Sequence, residues 1–219
     1  MAAVLPIGHF DAGPPAPAPV THCVAAACAA ATLLAAVHPE IVAAGGVVPA
    51  AVWQGAPSAL PPALTFATAP WLHASALHLL YNLAALWVFG PPVERRLGGA
   101  RFAAFLVGTG VAALAAQTAV MAGSGLPIVG ASGMTAALLG AFLVLHGRAR
   151  VSLALVFLTV PVPVRVLAGI WVGGELATVG ATALGWFPPV PVAHVAHLAG
   201  FALGAATLRF SRPEADSEF

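Results

Sequence analysis

The chain has 219 residues, of which 60% are hydrophobic and only 7% are charged, and its formal net charge is +1. Soluble domains carry about 25% charged residues, so this composition is typical of a protein dissolved in a lipid bilayer. All eight basic residues are arginines, and they form no long basic tract, which argues against a nucleic-acid-binding protein.

The apolar stretches predict an all-α membrane protein. Residues 1–19 are rich in proline, alanine and glycine and predict an extended or disordered tail. Six stretches are then long enough, or nearly so, to cross a bilayer: 20–37, 72–93, 102–122, 128–145, 166–187 and 192–208. Residues 38–70 are broken by proline and glycine and predict an outer loop, whereas the short apolar run 151–160 predicts a segment at the membrane interface. We therefore expect six transmembrane helices within residues 20–210, followed by a short cytoplasmic tail at 211–219.

The arginines predict the orientation of these helices. They fall between the second and third stretches, between the fourth and fifth, and after the sixth: Arg95, Arg96, Arg101, Arg148, Arg150, Arg165, Arg209 and Arg212. Six crossings place all of them on one side, which the positive-inside rule makes cytoplasmic, together with both termini. The lysine-free, alanine-rich composition favours a bacterium of high GC content and hence its plasma membrane.

Four polar residues are predicted to lie at one depth in this bundle. With a rise of 1.5 Å per residue, Ser132 lies about 24 Å before the arginines that follow its helix, His197 about 22 Å and Asn82 about 20 Å. His78 precedes Asn82 by one turn on the same face. Polar groups inside a membrane are costly and usually functional, so their agreement in depth indicates a site.

Small residues predict a close contact at that site. The sixth helix carries Gly200 and Gly204 at a spacing typical of helix packing in membranes, and the fourth helix has a narrow face of Ser132, Ala136 and Gly140. Two such faces allow the helix backbones to approach closely. The Ser132 hydroxyl would then come within hydrogen-bond reach of the His197 imidazole.

These residues resemble the motifs of the rhomboid family of intramembrane serine proteases. The matching motifs are His73-x4-His78-x3-Asn82, Gly90-x3-Glu94-Arg95-Arg96-Leu97-Gly98, Gly130-Ala131-Ser132-Gly133 and Ala196-His197-x2-Gly200-x3-Gly204. They occur in the family's order and spacing over residues 64–204. Any one motif alone would be weak, but the whole set is specific.

The resemblance implies a six-helix bundle that cleaves transmembrane helices of other proteins without a cofactor. It implies that Ser132 is the nucleophile and His197 its base. The oxyanion hole would be formed by His78, Asn82 and the backbone N–H of Ser132. The residues that look structural in that family are His73, Glu94, Gly130, Gly133, Gly200 and Gly204.

The chain departs from the family pattern at two places. Members often have an aromatic residue four positions after the nucleophile, stacked on the catalytic histidine, but here that residue is Ala136. The Trp-Arg pair of the first outer loop is also missing. The resemblance implies a Ser–His dyad, and no acidic residue is visible near His197 in the sequence, which agrees with it. Glu175 is interpreted as a neutral acid that hydrogen-bonds another helix, while the roles of Glu175 and His194 stay open.

The same residues allow two other functions. A metal site could combine His194 with His73 and His78, but with neither cysteine nor carboxylate beside them we expect no metal. A non-proteolytic rhomboid-like protein that binds membrane clients is the alternative to a protease, although both Ser132 and His197 are retained. The expected partners are transmembrane substrates and the lipid bilayer, with no nucleic acid. The sequence leaves the substrate, the biological process and the oligomeric state open.

Overall fold

The computed structural model describes residues 5–10, 17–155, 158–186 and 192–210. The helices are α1 (Pro19–Val37), α2 (Glu40–Gly45), α3 (Pro49–Gln54), α4 (Pro62–Thr68), α5 (Ala76–Leu97), α6 (Gly99–Val120), α7 (Ser132–Leu145), α8 (Val164–Ala183) and α9 (His194–Phe210). The strands are β1 (Leu5–Phe10), β2 (Arg150–Leu155) and β3 (Leu158–Pro163). The predicted C-terminal tail and most of the predicted N-terminal tail lie outside the described residues.

Each of the six predicted apolar stretches coincides with one long helix: α1, α5, α6, α7, α8 and α9. Four of them, α1, α5, α6 and α8, are long and apolar enough to cross a membrane. The other two are shorter, with 14 residues in α7 and 17 in α9. The fold is therefore mostly helical with four candidate membrane spans, and the count of six spans stays a prediction.

Side-chain contacts fix the directions of these helices. Asn82 of α5 bonds Thr135 of α7, and about two turns later in both helices Phe89 contacts Phe142. The two helices are therefore parallel. Gly200 of α9 faces Gly133 of α7, and Gly204, one turn later, faces Ala137, which is also one turn later. These two helices are therefore parallel as well. Consecutive long helices run in opposite directions, as repeated membrane crossings require.

Glu94 fixes the start of α1 against the end of α5. Its two carboxylate oxygens accept hydrogen bonds from the backbone N–H of Val20 (2.9 Å) and of Thr21 (2.8 Å), and the Thr21 hydroxyl donates a third (2.7 Å). These N–H groups belong to the first turn of α1, where no intrahelical acceptor exists and a negative charge is favoured. Gly90 leaves the room that Thr21 occupies, since a Cβ there would lie 2.6 Å from its methyl group. The predicted structural motif thus joins α5 to α1.

A small antiparallel sheet of order β1-β2-β3 departs from the all-α expectation. Residues 151–160 do not span, as predicted, but they form most of a hairpin, and residues 5–10 of the predicted tail pair with its β2 edge. The prolines of the sheet, Pro6, Pro161 and Pro163, all lie in the edge strands, where a missing N–H is tolerated. Pairing of these backbones also satisfies their polar groups beside an apolar bundle.

The predicted outer loop contains three short helices and packs near the start of α7. Val47 forms an isolated bridge with Ile128, and the Ala50 N–H donates to the Ser124 carbonyl (2.9 Å). A cavity of about 590 Å³ lies beneath this segment, lined mainly by α1, α2 and the residues before α5. Neither Ser132 nor His197 lines it.

We predict that Glu94→Gln destabilises the protein. Glutamine offers one acceptor oxygen instead of two, so a buried N–H of α1 faces an amide NH₂ and loses its partner. Unsatisfied buried groups cost about 1–3 kcal/mol each, and we expect a loss of about 2–4 kcal/mol. The thermal unfolding midpoint in detergent measures it.

Glu40→Gln is the matched control, because the Glu40 side chain is 73% exposed and bonds only His38. It should change stability by no more than about 0.5 kcal/mol. Equal unfolding midpoints for the wild type and Glu94→Gln would contradict the capping role.

Candidate active site

Ser132 is the first residue of α7, and a glycine turn leads into it. Gly130 has φ 122°, a backbone conformation that side chains other than glycine rarely adopt. Its N–H donates to the Ala69 carbonyl (2.9 Å), and a Cβ on it would lie 2.6 Å from Cε1 of His78. The His78 ring therefore lies directly against the turn that precedes Ser132, and the first N–H groups of α7 have no intrahelical partner.

The backbones of α7 and α9 are in direct contact. A Cβ added to Gly200 would collide with the carbonyl of Gly133, and one added to Gly204 would collide with the carbonyl of Ala137. Gly140 in turn faces the Phe201 carbonyl. The predicted narrow face of α9 is present.

On α7 the prediction was wrong by one position for two of its three residues. The packed face consists of Gly133, Ala137 and Gly140, and Ser132 and Ala136 lie beside it. The shift has a physical reason: a serine in the packed row would have its side chain between two helix backbones, where no space for it exists. Ser132 is half-buried and forms no side-chain hydrogen bond to a described residue.

His197 lies close to this serine. A Cβ on Gly133, the residue after Ser132, would lie 4.0 Å from the carbonyl oxygen of Ala196, the residue before His197. His78 and His197 are near enough for a positive charge on one to repel a charge on the other. The turn around Ser132 thus packs against the His78 ring on one side and against the turn that carries His197 on the other.

An acidic residue does contact His197, which corrects the expectation that none would be found. Oε1 of Glu175 lies 3.0 Å from Nδ1 of His197, and Oε2 lies 2.5 Å from Nδ1 of His194. Glu175 comes from α8, and its side chain is 10% exposed. No acidic residue lies next to His197 in the sequence, but α8 and α9 pack antiparallel and bring Glu175 to it from 22 residues away. The expected hydrogen bond from Glu175 to another helix is confirmed, but its two imidazole partners favour an ionised carboxylate rather than the neutral acid that the sequence suggested.

An aromatic ring also contacts His197 despite the alanine at position 136. The Trp171 ring of α8 lies 5.8 Å from the His197 ring, centroid to centroid, with a tilt of 33°. Trp171 also contacts Phe201, one turn further along α9. The ring therefore reaches the imidazole from a different helix than the family pattern would predict.

Asn82 is buried and held by two hydrogen bonds. Its Nδ2 donates to the His78 carbonyl (3.0 Å), and its Oδ1 accepts from the Thr135 hydroxyl (2.9 Å). Because Oδ1 is occupied by Thr135, the amide group has a fixed orientation between α5 and α7. Sequence reasoning missed Thr135, although a hydroxyl one turn after Ser132 in an apolar helix was a signal for it.

Two further residues support the histidines. His73 is buried, its Nδ1 lies 3.1 Å from the Thr32 hydroxyl of α1, and its ring lies edge-on to that of His78 at 4.9 Å. Gln117, which the sequence analysis did not single out, accepts a hydrogen bond from the Ala196 N–H (3.0 Å). Gln117 is a buried amide in an otherwise apolar helix, and that feature was the available signal.

The side chains of Glu175, His194 and His197 have possible metal-ligand atoms within 4.8 Å of one another. Two ligands 2.0 Å from a tetrahedral zinc ion are about 3.3 Å apart. The carboxylate oxygens lie only 2.5 and 3.0 Å from the two Nδ1 atoms, which are hydrogen-bond separations. The geometry favours a carboxylate shared by two imidazoles.

A family model described as Rhomboid domain matches residues 62–213, which is more than half of the chain. No curated protein matches the chain. The family match and the four candidate spans identify a multi-pass membrane protein. The chain belongs to the rhomboid family, whose members are generally intramembrane serine proteases.

Proposed function

We propose that this protein is an intramembrane serine protease that cleaves transmembrane helices of other membrane proteins through Ser132 and His197. The observation that supports this most strongly is the backbone contact between α7 and α9. It packs the residue after Ser132 against the turn that carries His197, while the His78 ring lies on the turn before Ser132. Acyl transfer requires a hydroxyl, an imidazole and unpaired N–H groups around one point, and these contacts support that arrangement here.

The proposed reaction assigns a role to each of these groups. Nε2 of His197 takes the proton of the Ser132 hydroxyl while Oγ attacks a peptide carbonyl. The resulting oxyanion accepts hydrogen bonds from His78, from Asn82 and from the Ser132 N–H. His197 then protonates the leaving amine, and water hydrolyses the acyl-enzyme by the same steps in reverse order. His73, Glu94 and the packing glycines hold the helices in place.

The same proposal includes the orientation in the membrane. All six long helices would cross the bilayer, with the arginines and both termini in the cytoplasm of a bacterium. With 14 residues, α7 is about 21 Å long, shorter than the roughly 30 Å hydrocarbon core. Ser132, at the outer end of α7, would therefore lie below the outer surface, and water would reach it from that side.

The alternative is a rhomboid-like protein that binds membrane clients without cutting them. The retained serine and histidine favour the protease, and so do the groups fixed around them. A binding protein has no need for a carboxylate on His197.

We predict that Ser132→Ala and His197→Ala each reduce cleavage of a model transmembrane substrate below detection in proteoliposomes. Asn82→Ala should lower the rate by about 10²–10³-fold, because one oxyanion donor is lost while others remain. Rates of product formation, measured beside the unfolding midpoint of each variant, provide the test.

Matched controls come from the same end of the bundle. Ser124→Ala removes a serine hydroxyl that bonds only the Leu126 N–H, and His38→Ala removes an exposed imidazole. Both should cleave at the wild-type rate, and strong chelators should leave cleavage unchanged. Cleavage by Ser132→Ala, or activity lost to a chelator and restored by zinc, would refute the proposed mechanism.

The orientation is tested by cysteine labelling in a variant without Cys23 and Cys28. Ser58 and Arg148 are both exposed, in the predicted outer loop and after α7 respectively. A membrane-impermeant reagent applied to intact cells should label Ser58→Cys, and Arg148→Cys only after the cells are opened. Labelling of both from outside would overturn the six-span orientation.

Substrate choice should depend on how easily the substrate helix unwinds near its outer end. An intact helix hides its carbonyls in internal hydrogen bonds, so the scissile bond must leave helical geometry before it can reach Ser132. Glycine costs about 1 kcal/mol relative to alanine in a helix and proline about 3 kcal/mol, so such residues make unwinding easier.

The experiment compares two single-span substrates that differ only there, one with glycine or proline in the outer third and one with leucine throughout. We expect the first to be cut faster, at bonds close to the small residues. Equal rates, or cleavage at the cytoplasmic end, would contradict the proposed position of the site.

A further inference from the structure

Glu175 is the buried acidic residue of α8, and that helix otherwise exposes most of its surface. The buried residues of α8 are Val164, Ala168 and Glu175. A carboxylate in this position is costly unless its oxygens find hydrogen-bond donors. Its two oxygens reach two imidazoles of α9, so its partners belong to the helix that carries the proposed base.

Both hydrogen bonds involve Nδ1 rather than Nε2 of the histidines. An ionised carboxylate only accepts hydrogen bonds, so a histidine bonded through Nδ1 must carry its proton there. Nε2 of the same ring then has a free lone pair, and this is the atom that a base presents to a serine hydroxyl. The geometry at His197 is therefore that of an oriented base.

We infer that Glu175 is a positioning residue that completes a Ser132–His197–Glu175 triad in this chain. The inference rests on the proposed proteolytic function and extends it beyond the expected dyad. Trp171, one turn before Glu175 on α8, contacts the His197 ring itself, so α8 fixes the imidazole by a hydrogen bond and by a ring contact.

The carboxylate also stabilises the charge that forms during the reaction. When Nε2 takes the Ser132 proton and Oγ bonds to the substrate carbonyl carbon, the ring becomes an imidazolium 3.0 Å from an anion. The carbonyl electron pair moves to the oxyanion. The proton next passes from Nε2 to the leaving nitrogen as the C–N bond breaks. Glu175 stays ionised throughout, and His194 bonds its second oxygen.

The test compares Glu175→Gln and Glu175→Asp with the wild type. Glutamine keeps the shape and removes the charge, whereas aspartate keeps the charge. Loss of the corresponding charge in a serine-protease triad costs about 10⁴-fold in kcat, so we expect Glu175→Gln to lose about 10²–10⁴-fold in kcat with little change in KM. Glu175→Asp should recover part of the loss.

The pH profile separates positioning from a purely structural role. The titratable groups that face His197 are Glu175 from α8, His78 from α5 and His194 on its own helix. Because the Glu175 anion stabilises the imidazolium that forms during the reaction, we expect the acid limb of the kcat profile to move towards lower pH in Glu175→Gln.

Thr178→Ala is the matched control on α8, because among the described residues the Thr178 hydroxyl bonds only the Gly174 carbonyl of the same helix. It should leave kcat and the pH profile unchanged. If Glu175→Gln keeps both while Ser132→Ala is inactive, the triad is wrong and the proposed protease stands. If the wild type does not cleave at all, the failure belongs to the proposed function.

A measurement on the wild type covers the case in which Glu175→Gln does not fold. Nitrogen-15 NMR of histidine-labelled protein reports which ring nitrogen of His197 carries the proton at neutral pH. We expect Nδ1–H with unprotonated Nε2. The Nε2–H tautomer would overturn the inference, because that form cannot accept the Ser132 proton.

Discussion

The direct backbone contact between α7 and α9 is the constraint on which the rest of the site depends. Gly200 and Gly204 have no side chain, so the carbonyls of Gly133 and Ala137 occupy the space that a Cβ would need. At this separation even an alanine at either glycine would push the helices apart. The contact fixes the position of α7 relative to α9, and thereby the position of Ser132 relative to His197.

The surrounding lipid explains why the buried polar side chains are paired with each other or with the backbone. Lipid cannot hydrogen-bond a polar side chain, so each buried polar group needs a partner inside the protein. Asn82 finds Thr135, Gln117 finds the first turn of α9, and Glu94 finds the first turn of α1. These bonds connect neighbouring helices, so the same interactions that satisfy the polar groups also hold the bundle in register.

The sequence predicted the six long helices well, because long apolar stretches in a membrane protein must form helices that satisfy their own backbone hydrogen bonds. It also predicted one depth for Ser132, His78 and His197 from residues counted along parallel helices, and the contacts of Gly130 and Gly133 agree with that prediction. It did not predict the Glu175–His197 bond or the Trp171 contact, because depth says nothing about the rotation of a helix about its axis. The sheet was missed because its prolines disfavour strands, and only the pairing order reveals that they lie in edge strands.

The central claim is that His197 activates Ser132 for attack on a carbonyl. The most direct measurement is covalent labelling of the folded protein by a fluorophosphonate, with the modified residue identified by mass spectrometry. The account predicts a single adduct on Ser132 in the wild type and at least a hundred-fold slower labelling in His197→Ala, since removal of a triad base costs far more than that in rate. No adduct on Ser132, or labelling at the same rate without the His197 imidazole, would contradict it.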